Sequence, residues 1–204
     1  MMAVHFNTDE TGQDMAVRER LLREALTLFN AKGYAATSVR EIVAAAGVSK
    51  PTLYYYFSNK EGIYLALMTS TMVTFQAAVE QLVVPQGTAR QRLLRFSTGV
   101  FDLFVEHLAV VRLIYAIYFG PPQGAPAFRH QEFYDLMLRV VGKMVEEGIA
   151  SGEFRPLPVP DLTWVVISCM NTVMEEQLCN QPPRVERAAL ERMLELVLAG
   201  IKAE

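Results

Sequence analysis

Residues 37–64 read TSVREIVAAAGVSKPTLYYYFSNKEGIY. Ser38 followed by Glu41 forms a capping box, in which hydroxyl and carboxylate each satisfy one orphan N–H at a helix start. Val39, Ile42, Val43 and Ala46 then recur at helical spacing and give one apolar face. Gly47 falls where that helix must stop and the chain must turn, a position at which positive φ is cheap only for glycine. Ser49 suits the N-cap of a second helix, and Pro51 is tolerated in its first turn, where a missing N–H loses no bond. Leu53 and Phe57 are spaced to point inward. Lys50, Thr52, Tyr55 and Tyr56 are left to point outward, with Tyr54 beside them. Ser58 with Glu61 reads as a second capping box, opening a long helix.

Helix, short turn with glycine, helix is the helix-turn-helix plan, whose second helix enters the DNA major groove. The exposed residue types fit that task. Lys50 supplies charge, and the hydroxyls of Ser49, Thr52, Tyr54, Tyr55 and Tyr56 can bond phosphates. Thr37 and Ser38 lie at one helix N-terminus and Lys60 at another, where free N–H groups and the dipole favour an anion. The bland alternative is a helical hairpin with ordinary caps whose tyrosines merely pack, because the same geometry occurs in proteins that never touch DNA.

TSVREI, AAGVSK, TLYYYF and NKEGI, with LFNAKGY upstream, resemble in order and spacing the N-terminal signature of the TetR family of transcriptional repressors. The resemblance covers about residues 16–67, one quarter of the chain. It implies an all-α fold, a DNA-binding head at 15–62, a ligand-binding and dimerisation domain at 63–204, and no enzymatic activity. It also implies that the last two helices, about 162–180 and 184–203, pair with their symmetry mates. Two recognition helices would then stand about 34–36 Å apart over a palindromic double-stranded operator. Pro51 departs from the pattern, since many members carry glycine or another small residue there. A proline donates no backbone N–H to phosphate or base.

Composition agrees with a folded regulator. Of 204 residues 51% are hydrophobic and only 20% charged, which argues against disorder. The net charge of −3 looks unfavourable for DNA, but its distribution matters more than its sum. Residues 15–62 hold seven Lys/Arg against four Asp/Glu, while 1–14 and 63–204 are each acidic. Cys169 and Cys179 lie ten residues apart in one expected helix, about 15 Å, too far for a disulfide. That reads as a reduced, cytoplasmic protein. The N-terminus lacks the basic-then-apolar pattern of a secretion signal. No run reaches the roughly 18–20 apolar residues of a membrane span.

Along the chain the periodicity predicts about nine helices and no strand: a loose tail at 1–14, helices at 16–32, within 37–57, at 58–82, 89–107, 108–119, 128–150, 162–180 and 184–203. Thr88 is the expected cap of the fifth and Asp161 of the eighth. Residues 162–174 are apolar nearly all round. The last helix presents Val185, Ala189, Met193, Leu196, Val197 and Ile201, widened by Leu190, Leu194 and Leu198, so it needs cover from a partner or from a monomer core.

Catalytic or metal chemistry is hard to find. His5, His107 and His130 sit in no ligand pattern, and neither cysteine has a partner at metal spacing. No Gly-rich phosphate loop or GxSxG elbow occurs. Glu146-Glu147 and Glu175-Glu176 read as solvated pairs. No cofactor is expected. A small-molecule pocket is a better reading. The apolar candidates are Phe104, Tyr115, Tyr118, Phe119, Phe128, Met137, Trp164, Met170 and Met174, with His107, Arg112 and Asn171 as polar ones. For each aromatic or methionine the competing reading is simple core. For Arg112 it is an ion pair, for example with Glu175. For Asn171 it is a bond to its counterpart in a dimer. An apolar or aromatic effector, bearing a carboxylate that Arg112 meets, is the expected ligand. Two other readings stay open: a regulator of the same build without an effector, and a helical module that binds protein rather than DNA.

Overall fold

The computed structural model describes residues 8–129 and 131–203. Among the described residues the chain forms nine helices: α1 Thr8–Lys32, α2 Val39–Ala46, α3 Lys50–Tyr56, α4 Lys60–Leu82, α5 Ala89–Glu106, α6 Leu108–Tyr118, α7 Gln131–Ala150, α8 Val159–Cys179 and α9 Arg187–Gly200. One isolated antiparallel bridge joins Phe154 to Lys202. The all-α expectation holds.

Several boundaries move for local reasons. The tail expected at 1–14 is helical from Thr8, and residues 1–7 lie outside the described residues. Asn59, not Ser58, caps α4, since its side-chain Oδ1 accepts the Gly62 N–H at 2.8 Å. α8 begins at Val159 with proline in its first turn. Asp161 therefore sits inside the helix, its own N–H bonded to the Pro158 carbonyl at 3.1 Å. There its charge favours the positive end of the dipole instead of capping it. α9 starts only at Arg187 because Arg184 is engaged elsewhere. Its N–H (2.9 Å) and guanidinium (2.7 and 2.8 Å) all donate to the Glu176 carboxylate. Glu176 is thus buried, not the solvated residue its neighbour Glu175 is, and Glu147 bonds Arg92 at 2.6 Å.

The chain divides into two compact units. Unit 1 runs to Thr71 and takes in Ala109–Phe128; unit 2 is Met72–Leu108 with the chain from Arg129 onward. The unit holding the helix-turn-helix therefore extends past residue 62 and includes most of α6. Its core is built from Leu21, Ala25 and Phe29 of α1, Ile42, Val43 and Ala46 of α2, Leu53 of α3, Ile63, Tyr64 and Leu67 of α4, and Leu113 of α6. Each such aliphatic side chain contributes about 1.5–3 kcal/mol by leaving water.

In unit 2, α5, α7, α8 and α9 pack on one another through Leu93, Phe96, Val141, Met144, Val166, Met170, Val173, Leu190, Leu194 and Leu198, all buried. Thr88 caps α5 in a reciprocal box with Gln91, and the Glu153 carboxylate accepts the next two N–H groups, of Ala89 and Arg90, at 2.7 and 3.0 Å. Leu190, Leu194 and Leu198 are core, whereas Leu196 stays 76% exposed, as do much of Trp164 and Val165 on α8. By length and composition α4 is apolar enough to cross a membrane, although no such span was expected. Ile63, Tyr64, Leu67 and Met68 of α4 are buried in the core of unit 1.

Candidate nucleic-acid interface

The reading surface is built from α2, its turn and α3. Ser38 lies in extended backbone at the α2 N-cap. Its Oγ accepts the Glu41 N–H at 3.3 Å, and the Glu41 carboxylate accepts the Ser38 N–H at 2.9 Å. Lys32 also donates to Glu41. That bond, ahead of those from Ser38, holds the Glu41 carboxyl down at about 2. Gly47 ends α2 at φ 62°, ψ 37°, with its N–H on the Ala44 carbonyl and the Val48 N–H on that of Val43. This paired closure is what a left-handed residue makes available. Ser49 then caps α3, its Oγ accepting the Thr52 N–H at 3.2 Å and lying 2.8 Å from the Thr52 hydroxyl.

α3 splits by face. Leu53 has no exposure and Phe57, its C-cap, is buried; Tyr54 is 52% and Tyr55 75% exposed. Lys50, Ser49 and Ser38 are exposed as well. Pro51 is exposed in the first turn. Tyr56 is half-buried, packs edge-on against Tyr55 at 4.9 Å, and donates its hydroxyl to Asp14 of α1. That bond to a carboxylate pushes the phenol up to about 12.

Two expected phosphate ligands are turned to the protein. Thr37 is buried, and its hydroxyl donates to the Gly33 carbonyl at 2.9 Å. Lys60 donates to the carbonyls of Tyr34 at 2.8 Å and Thr37 at 2.9 Å, with its ammonium 4.3 Å from the Tyr34 ring centroid. Burial lowers its pKa. Conversely, Arg40 is exposed on α2, and its place opposite the Ile42–Val43 face was the signal that would have found it. Arg18 of α1 lies over the Phe57 ring at 5.5 Å.

The expected ligand residues do not fall in one unit. Arg112, Tyr115, Tyr118, Phe119 and Phe128 belong to unit 1, and the other seven to unit 2. In unit 1, Phe119 is 71% exposed and packs on Tyr115 and Tyr118. Arg112 is half-buried and makes no ion pair among the described residues; Glu175 is exposed. In unit 2, Phe104, Met137, Met170 and Met174 are buried. Asn171 donates to the Tyr134 hydroxyl at 3.1 Å, and that ring lies 5.9 Å from Trp164. His107 bonds the Leu103 carbonyl through Nδ1. A groove of about 890 Å³ in the same unit is lined by Thr88, Arg90, Glu153, Phe154 and Leu198 among others, and by none of the expected ligand residues. Among the described residues no three His, Cys, Asp or Glu cluster as a metal site would need; His5 and His130 lie outside them.

Residues 21–67, spanning α1 to α4 through this surface, match the family model of bacterial regulatory proteins, tetR family. The head of this chain carries the TetR-family signature. It is similar to the HTH-type transcriptional activator FasR of Mycolicibacterium smegmatis, 39% identical over 90 residues, which are 44% of this chain and 41% of FasR. With the HTH-type transcriptional repressor KstR2 of the same organism it is 25% identical over 95% of this chain and 94% of KstR2. The solved structure of the ketosteroid transcriptional regulator KstR2 of Mycobacterium tuberculosis superposes with a TM-score of 0.71 at 24% identity, covering 92% of this chain and 95% of that one; this likeness establishes the shared fold. A TetR-family protein is a DNA-binding transcriptional regulator and not an enzyme. The α2–α3 pair just described lies inside the residues that the family model matches.

Proposed function

We propose that this TetR-family regulator is a cytoplasmic homodimeric repressor. It binds a palindromic double-stranded operator through α3 and leaves it when a small apolar or aromatic effector binds in unit 2. The observation that carries the DNA reading is the division of α3: Leu53 wholly inside, Tyr55 75% outside. Lys50, Tyr54 and Tyr55 meet the DNA, with Arg40, Ser38 and Ser49 at the flanking helix starts. Lysine and arginine neutralise phosphates, and tyrosine and serine hydroxyls donate to phosphate oxygens without a charge of their own. Thr37 and Lys60 shape the surface from behind instead of touching it.

Dimerisation is supported by apolar side chains left in water on the last two helices, Trp164 and Val165 on α8 and Leu196 on α9. Such residues on an otherwise polar face mark a partner surface. Two copies joined there would present two α3 helices to half-sites one DNA turn apart. The repressor direction follows the name of KstR2, a relative over nearly the whole chain. The apolar effector follows the buried Phe104, Met137, Met170 and Met174 of unit 2 and the word ketosteroid in the name of the solved relative. An effector that moves the population from 99:1 bound-competent to 1:99 must favour the released state by about 5.5 kcal/mol.

A gel shift tests the reading, using duplex DNA from immediately upstream of the protein's own gene at two salt concentrations. Binding should weaken steeply as salt rises, because phosphate contacts release counterions. A steroid and a long-chain fatty acid added to the bound complex test release. Trp164, the one tryptophan, reports binding in unit 2 by its fluorescence.

A further inference from the structure

The connection between α1 and α2, residues 33–38, leads straight into Ser38 and the reading surface. Its backbone groups are tied down one by one. The Gly33 carbonyl takes the Thr37 hydroxyl, and the Tyr34 and Thr37 carbonyls take the Lys60 ammonium. The Tyr34 N–H is satisfied from far away: it donates to the Gln123 side-chain Oε1 at 2.8 Å, across 89 residues of sequence. Tyr34 itself is buried, so losing that acceptor leaves its N–H without a partner from the protein. Gln123 reaches the site because position 33 is glycine. A Cβ on Gly33 would stand 2.7 Å from the same Oε1.

Gln123 does not act alone. It lies in the segment Ala109–Phe128 that belongs to unit 1. Asn30 of α1 donates to the Ala109 carbonyl at 2.9 Å, and Leu113 sits fully inside the unit 1 core. The other end of the Gln123 amide faces the Ala116 carbonyl of α6 at 3.5 Å. One side chain thus links the end of α6 to the turn that aims α2.

We propose that Gln123 is a positioning residue for DNA recognition: its carboxamide oxygen, held by α6 and the following loop, locks the α1–α2 turn in the geometry that DNA binding requires. The inference rests on the reading of α3 as the DNA-contacting helix and deepens it. Gln123 touches no DNA. It acts by tilting the turn toward the binding-competent form against a competing one of similar free energy, so its loss lowers apparent affinity by the fraction that leaves that form.

The test compares operator binding by wild type, Gln123→Met and Gln123→Glu, well below the melting temperature. Methionine keeps the length and removes the acceptor; glutamate keeps an acceptor oxygen for the Tyr34 N–H. Gln123→Met should bind about tenfold more weakly, the scale set by one orphaned backbone N–H, with an unchanged salt slope because no phosphate contact is lost. Gln123→Glu should restore affinity to within about threefold, well inside that single-bond scale. Equal affinity of wild type and Gln123→Met overturns the proposal, as does equal weakening of both variants. A reduced salt slope would make Gln123 a DNA contact and overturn it too. A purely structural role would lower the melting temperature and leave affinity alone. If Gln123→Met fails to fold, Gln123→Ser, too short to reach Tyr34, takes its place with the same outcomes. Failure of the wild type to bind DNA would instead remove the reading of α3 on which the proposal rests.

Discussion

Gly47→Ala isolates the backbone geometry of the helix-turn-helix from its packing. Gly47 holds φ 62°, ψ 37°, and a Cβ built there meets nothing within 4 Å. The whole cost is therefore the left-handed conformation, about 1–2 kcal/mol for a residue with Cβ. It is offset by the stiffer unfolded chain, worth about 0.4–1 kcal/mol. The net loss should be about 1 kcal/mol. With m-values of about 1–3 kcal/mol/M, the urea midpoint should fall by about 0.3–1 M with m unchanged. Gly47→Asn should lose less, because asparagine tolerates this region better. Gly33→Ala provides the contrast: φ is 86°, and the new Cβ also collides with Gln123, so its loss should exceed that of Gly47→Ala. Urea titrations followed by helical circular dichroism measure all three. A Gly47→Ala midpoint at or above wild type, or asparagine as costly as alanine, would refute the argument that conformation alone makes this position glycine.

Other surfaces make separate predictions. Lys50→Ala should lower the salt slope of DNA binding by about one unit, whereas Tyr55→Ala should weaken binding with the slope unchanged; both are exposed, so thermal stability should hold. Leu196→Glu should yield monomers in sedimentation, since a charge without a partner in a desolvated apolar interface costs roughly several kcal/mol; an unchanged assembly would place the dimer surface elsewhere. The Glu176 carboxyl is held at about 2, below its ordinary 4.5, by the bonds from Arg184. Its stabilising contribution is therefore full above pH 4.5 and lost as pH falls toward about 2. The melting-temperature gap between wild type and Glu176→Gln should close over that window, and a gap constant with pH would contradict the assignment.

What could be read from sequence was local. The Ser38 and Thr88 caps, the Gly47 turn and the inward Leu53 each depend on residues within four positions, and each is where its spacing placed it. The errors are long-range or degenerate. Asn59 and Ser58 are adjacent residues of equal capping ability, so composition could not choose between them. The polar stretch from Thr8 has no apolar rhythm to announce a helix, yet it is helical and brings Asp14 to Tyr56. Thr37 and Lys60 looked like free phosphate ligands because their partners are backbone carbonyls, which every residue has and no spacing reveals. α6 was assigned to the second domain by its position in the chain, but Leu113 packs into the first. The ligand residues were chosen by side-chain type, and type alone could not see that they divide between two units.

On the proposed reading, exposed basic and hydroxyl groups of α2 and α3 hold this regulator on operator DNA. The most direct test is a fluorescence-anisotropy titration of wild type and Lys50→Ala against the upstream duplex over a range of salt. For the wild type, log affinity should fall linearly with log salt, steeply enough for several phosphate contacts. The slope for Lys50→Ala should be shallower by about one unit. Two parallel lines, or a wild-type affinity indifferent to salt, would contradict that reading.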